Sequence, residues 1–219
     1  MGGVALDTCS YIGFSKKREL IRIERLKIVF QFLLMTVFSF VVGCLIASSL
    51  SADFYESSVV GVSSHFEKLF INCATVYDHA KCVLIYSFGD VLCIAMIFLV
   101  SFSAFNYIAT DLVLIYCGIR CGLSICFLSA FIGGADYLYS IGIIRYIVFV
   151  FFKTAIMLLL LCYAYTAAVS SSALRRTVPN GRIVISPQAA AKFLLYTLAC
   201  MGSVLMLSGL YCWFMYLLK

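Results

Sequence analysis

Four ionisable side chains stand inside or at the edges of long apolar stretches, where a charge is costly. They are Asp90, Asp111, Arg120 and Lys153. A charge in the middle of a bilayer costs at least about 2.5 kcal/mol, so such residues usually face a helix bundle, line a water-filled cavity or pair with one another. Two roles follow: a path for an ion or polar substrate that uses Asp90, Arg120 and Lys153, or a structural salt bridge.

We favour the structural role, because a transporter of this size usually shows paired broken helices with repeat symmetry. The chain has no clear internal repeat. Lys153 is near enough to the start of its stretch for its stem to carry the ammonium group to the membrane interface. Asp90 and Asp111 lie on neighbouring stretches, so a pair of aspartates that cleaves peptides within the membrane stays a minor alternative.

Other patterns of covalent chemistry are not apparent in the sequence. There is no phosphate-binding glycine loop with its lysine, no HExxH and no GxSxG. His65 and His79 lack paired thiols at the spacing of a zinc site. We therefore expect no enzymatic activity, no catalytic residue, no cofactor and no metal.

Five apolar stretches must position these ionisable groups. They are Leu26–Leu50, Val83–Phe105, Tyr107–Ile132, Ile143–Val169 and Ala190–Leu218. Each exceeds the roughly 20 residues that a helix needs to cross a bilayer core. Only 12% of the residues are charged, against about 25% in a soluble domain. The sequence predicts an all-α polytopic membrane bundle, with residues 1–219 in a single integral membrane domain.

The third stretch places its arginine between two glycines. Gly118 and Gly122 are four residues apart, a small-xxx-small spacing that lets two helices approach closely. Close packing beside a buried cation predicts either a helix contact around Arg120 or a re-entrant, broken helix within Tyr107–Ile132.

The distribution of basic residues predicts the orientation. Most of the sixteen lysines and arginines either precede the first stretch or surround the fourth connection; these are Lys16, Lys17, Arg18, Arg22, Arg25, Lys27, Arg175, Arg176, Arg182 and Lys192. Flanking basic residues stay cytoplasmic, and five spans put both groups on one side. The basic amphipathic segment 1–27 and the loop 170–189 are then cytoplasmic, whereas the loop 51–82 and the carboxyl terminus are extracytoplasmic. The first stretch begins too late and is too long for a cleavable signal peptide.

The extracytoplasmic loop 51–82 is the longest outward segment, so we expect any partner to bind there. Its aromatic and acidic residues are the candidates for partner binding: Phe54, Tyr55, Glu56, Phe66, Glu67, Phe70 and Tyr77. The alternative is that the aromatics only sit in the interfacial belt of the membrane. Cys73 and Cys82 share this loop, and a disulfide between them stays open. The net charge of +6 follows the topology and does not indicate nucleic-acid binding.

The order of these parts resembles the stage II sporulation protein M family of bacterial membrane proteins. The first stretch leaves the membrane through FVVGCLIASSLS at Phe40–Ser51. An outer loop with an aromatic end at Phe66–Phe70 follows, and then a tight apolar hairpin that contains the basic-then-glycine step Ile119–Leu123. Ser170–Arg176 leads through a basic, proline-bearing loop to the last stretch. The resemblance covers roughly residues 25 to 218.

That resemblance implies a non-enzymatic scaffold in the mother-cell membrane around the engulfing septum. The family recruits two cell-wall hydrolases, the stage II sporulation proteins D and P, and has no catalytic residues to carry over. The residues themselves fit a second function class equally well: a permease subunit that works with a separate ATPase.

The predicted topology is testable by labelling a single cysteine in a variant that lacks the native thiols. We expect a cysteine at position 180 to react with an impermeant thiol reagent only after the membrane is opened, because the adjoining basic residues hold that loop inside. Labelling of intact cells at position 180 would contradict the topology.

Overall fold

The computed structural model describes residues 5–50, 76–103, 105–133, 139–177, 183–185 and 187–217. Five helices and one short hairpin make up these residues. The elements are α1 (Ala5–Ser49), α2 (Val76–Val100), α3 (Asn106–Gly133), α4 (Tyr139–Leu174), β1 (Arg175–Thr177), β2 (Ile183–Ile185) and α5 (Pro187–Leu217). Each helix contains a segment long and apolar enough to cross a membrane. The predicted all-α bundle with five candidate spans is therefore confirmed.

The helix boundaries correct several sequence-based limits. The predicted loop 51–82 is too long, since α2 begins at Val76. Asp78 lies in the first turn of α2, where a carboxylate is stabilised by the positive end of the helix dipole. The predicted limit of the second stretch at Phe105 is also too late, because α2 ends at Val100 and a turn follows.

The re-entrant or broken form of the third stretch is wrong, because α3 is one continuous helix of 28 residues. The loop 170–189 is shorter than predicted. Helix α4 runs to Leu174, and the antiparallel strands β1 and β2 occupy part of the connection. Helix α5 then starts at Pro187, a residue whose fixed φ suits the first position of a helix.

Four of the helices form a ring and the fifth lies outside it. Helix α2 packs against α5, α5 against α4, α4 against α3, and α3 against α2, while α1 packs mainly against α3. We call the end of the bundle with Val100, Asn106, Leu174 and Pro187 the hairpin end. The opposite end, where α1 and α5 finish, is the loop end.

Aromatic side chains fill the ring near its two ends. At the hairpin end, Phe193 of α5 stacks on Phe98 of α2 and on Tyr163 of α4, with ring centroids 5.4 and 6.0 Å apart. In the half of the bundle toward the loop end, Tyr211 of α5 stacks on Tyr86 of α2 with centroids 4.5 Å apart. These contacts attach α5 along most of its length to both of its neighbours.

Glycines bring α1 and α3 into backbone contact. A side chain at Gly43 of α1 would collide with the backbone of Ile119, and one at Gly122 of α3 would collide with the backbone of α1 around Phe40. Gly118 faces Ser39 and the carbonyl of Thr36 in the same way. The absence of side chains at these three positions therefore lets the backbone of α1 dock closely against α3.

Replacing Gly122 by Leu should therefore detach or displace α1. We expect the free energy of unfolding in detergent to fall by about 1–3 kcal/mol, since the backbone of α1 must move to make room. Gly202 of α5 is the matched control, because no atom lies within 4 Å of a side chain added there. Gly202→Leu should change the unfolding free energy by less than about 0.5 kcal/mol. Equal losses in the two variants would show that the glycine contact is not what holds α1.

Candidate functional site

Asp90 of α2 lies at the centre of a cluster of three ionisable groups. Its side chain is completely buried. One carboxylate oxygen, Oδ2, accepts a hydrogen bond of 2.9 Å from Lys153 Nζ of α4. The other, Oδ1, is paired with the guanidinium of Arg120 of α3. One carboxylate thus connects three helices of the ring, and we call Asp90, Arg120 and Lys153 the ion cluster.

The ion cluster lies deep in the apolar layer rather than at its edge. At about 1.5 Å per residue, the three residues lie about 14 to 20 Å from the limits of their candidate membrane spans at the loop end, which are Tyr77, Ser129 and Ile143. Half of a bilayer core is about 15 Å. At this depth an unpaired charge is energetically costly. The pairing of the three groups with one another offsets that cost.

Two tyrosine rings and a glycine lie against the two cations of the ion cluster. The ammonium group of Lys153 lies over the ring of Tyr86, 4.9 Å from its centroid, and such a cation–π contact adds to the pairing with Asp90. The guanidinium of Arg120 lies over Gly89, where any side chain would collide with it. Its Cζ also lies 5.9 Å from the ring centre of Tyr116.

The two cations differ in exposure. The side chain of Lys153 is 7% exposed, and that of Arg120 is 25% exposed. Lys153 is therefore enclosed by the bundle, and the interpretation in which it reaches the membrane interface is wrong. Arg120 is instead partly exposed, and its guanidinium lies against Gly89 of α2 at the contact between α2 and α3.

Asp111 does not join the ion cluster. Its Oδ2 accepts a hydrogen bond of 2.6 Å from Gln31 Nε2 of α1, nearer the hairpin end of α3. Asp90 and Asp111 thus engage different partners, and they do not form the aspartate pair of a peptide-cleaving site. The hydrogen bond between Gln31 and Asp111 links α1 to α3, in addition to the close backbone contact at Gly118 and Gly122.

The residues proposed for partner binding fall mostly outside the described part of the chain. Phe54, Tyr55, Glu56, Phe66, Glu67 and Phe70 lie there, as does Cys73, so the disulfide with Cys82 stays a prediction. Tyr77 is described, and it is 76% exposed at the loop end of α2. Two residues further on, His79 packs edge-on against Tyr216 of α5, with ring centroids 4.9 Å apart.

Sequence reasoning missed three residues that shape the site: Tyr86, Gly89 and Gln31. Gln31 carried a usable signal, since a lone amide in an apolar span commonly bonds across helices. Gly89 directly precedes Asp90, and a glycine beside a buried charge indicates room for a partner side chain. Nothing in the sequence singles out Tyr86 from the other tyrosines of the spans.

Comparison of the chain with protein-family models, with curated proteins and with solved structures finds no match in any of the three. The site is therefore interpreted from its own geometry.

The ion cluster predicts an order of stability among its variants. Asp90→Asn removes the one anion and leaves two cations facing each other, so it should cost about 3–5 kcal/mol of unfolding free energy in detergent. Lys153→Met leaves a neutral Arg120–Asp90 pair and should cost clearly less. Asp111→Asn is the matched control, because an asparagine oxygen can still accept from Gln31.

Thermal unfolding of the purified variants measures this order. We expect the loss in melting temperature to be largest for Asp90→Asn and smallest for Asp111→Asn. If Asp90→Asn and Asp111→Asn unfold at the same temperature, the ion cluster does not hold the ring together.

Proposed function

We propose that this chain is a non-enzymatic membrane scaffold, which anchors and positions extracytoplasmic enzymes. The observation that carries the proposal is the complete burial of Asp90 between its two cations. A residue on a conducting path must meet ions or water, whereas this carboxylate has no exposed surface and each of its oxygens faces a cation. The ion cluster therefore serves to fix helices relative to one another.

A scaffold also needs a firm base for whatever it presents, and the loop end of the bundle supplies one. His79 and Tyr216 hold the start of α2 against the end of α5. Directly below them, Cys82, Tyr211, Cys212 and Met215 are buried in one apolar cluster. The start of α2 thus belongs to a closely packed platform, and Tyr77 is exposed at its edge.

The resemblance to the stage II sporulation protein M family suggests which enzymes are held. On that proposal the partners are the cell-wall hydrolases D and P of the same sporulation stage, and the site of action is the membrane that engulfs the forespore. The amino terminus is cytoplasmic, and the loop before α2 faces the cell wall. Aromatic and acidic residues of that loop make the contact, with Tyr77 as its described member.

A permease subunit is the competing function, and the partial exposure of Arg120 is the observation in its favour. A cation that is accessible at mid-membrane depth can attract an anionic substrate. The two functions differ in the partner that they require, because a permease subunit of this kind works with an ATPase and a scaffold works with a hydrolase.

Affinity purification of the tagged chain from native membranes tests the proposal. The hydrolases should co-purify with the unmodified chain and be lost from a variant that combines Glu56→Lys, Glu67→Lys and Phe66→Ala. Such an interface loses most of its affinity when a few central aromatic and charged residues are removed. The amount of the variant in the membrane should not change.

Gly202→Leu is a suitable control, since it alters the chain where nothing packs. Unchanged hydrolase binding by the triple variant would refute the proposed contact surface. If an ATPase co-purifies and the hydrolases do not, the chain is a permease subunit and not a scaffold.

A further inference from the structure

The ion cluster contains more positive than negative charge. Arg120 and Lys153 share the single carboxylate of Asp90, so the ionised cluster carries one net positive charge in the apolar layer. An uncompensated charge in such surroundings costs several kcal/mol. A second anion placed against either cation would therefore be strongly stabilised.

Arg120 is the cation that such an anion can reach. Lys153 is enclosed, whereas a quarter of the Arg120 side chain is exposed. The guanidinium lies against Gly89 of α2, where the absence of a side chain leaves it room at the contact between α2 and α3. A guanidinium has five N–H donors in a fixed plane, enough to bind a second carboxylate while it remains on Asp90.

The exposed side chains of α2 and α3 near Arg120 suit contact with a helix rather than with a soluble ligand. Phe88 and Leu92 of α2 and Tyr116 of α3 are 67%, 48% and 54% exposed, and in a membrane these apolar side chains face lipid. Arg120 lies about 14 Å from the nearer end of its span at 1.5 Å per residue. Asp90 holds the guanidinium at that depth, which keeps it from reaching lipid headgroups.

A second copy of this chain does not supply the anion from its described spans. Copies inserted in the same orientation present equal residues at equal depth. Asp111 lies nine residues before Arg120 on α3, about 14 Å nearer the hairpin end. Glu24 lies at the start of the candidate membrane span of α1, and Asp78 lies in the first turn of α2. A helix of a different protein is the source of the anion that we consider.

We propose that the groove between α2 and α3 at Arg120 binds a transmembrane helix of a partner protein, and that this helix carries an aspartate or glutamate at the depth of Arg120. The carboxylate pairs with the exposed side of the guanidinium and neutralises the ion cluster. The neighbouring side chains Phe88, Leu92 and Tyr116 pack against the rest of the partner helix. This contact is separate from the loop on which the proposed function depends.

A synthetic helix tests the proposal with the full chain in lipid vesicles. The probe is a leucine-based transmembrane peptide of about 21 residues with one central glutamate, and its association is measured by fluorescence energy transfer. The glutamate peptide should bind about ten times more tightly than the same peptide with glutamine. Moving the glutamate two turns toward either end should abolish the difference, since the peptide then has no cation at its level.

Variants of the chain identify the residue responsible. Arg120→Gln should remove the preference for glutamate, Arg120→Lys should retain most of it, and Asp111→Asn should leave it unchanged. Equal binding of the glutamate and glutamine peptides, or an undiminished preference in Arg120→Gln, would overturn the proposal. The depth scan uses the unmodified chain, so a flat profile overturns it even if Arg120→Gln fails to fold.

The result is independent of the hydrolase test. A positive peptide result combined with failed hydrolase co-purification would keep the helix-binding groove and discard the scaffold role.

Discussion

The carboxylate of Asp90 is the constraint on which the rest of the bundle depends. In lipid, apolar contact between helices is no stronger than contact with acyl chains, so packing and polar bonds must select one arrangement. Asp90 accepts from Lys153 and pairs with Arg120, which sets the relative depth and rotation of α2, α3 and α4 together. A shift of any one helix would leave a charge unpaired in the apolar layer.

The two helices that lack a member of the ion cluster are held by different physics. Helix α5 is attached by stacked aromatic rings near both ends, and the hydroxyls of Tyr163 and Thr197 share a hydrogen bond of 2.8 Å within that contact. Helix α1 is attached by glycines that let its backbone touch α3. Its surface away from α3 is largely apolar and exposed, which suits contact with lipid or with further helices.

The proposed functions use different parts of this architecture without conflict. The loop end is the proposed platform because Cys82, Tyr211, Cys212 and Met215 are buried there in one apolar cluster. The groove at Arg120 is proposed as a binding site because the ion cluster carries one positive charge in excess and its partly exposed guanidinium lies beside Gly89. Both depend on the same fixed arrangement of α2, α3 and α4. A membrane protein that positions others gains specificity when a mid-membrane charge selects the partner and an outer loop holds it.

Hydropathy and charge determined the class of fold and the four ionisable residues that matter, because runs of about 20 apolar residues have few other uses and a charge within them is costly wherever it lies. The spacing of Gly118 and Gly122 indicated a close helix contact for the same local reason. Only the tertiary structure decided that Asp90 binds both cations, that Asp111 turns to Gln31, and that Arg120 rather than Lys153 is exposed. Those outcomes depend on how helices distant in sequence are rotated and aligned in depth, and periodicity along one helix does not contain that information.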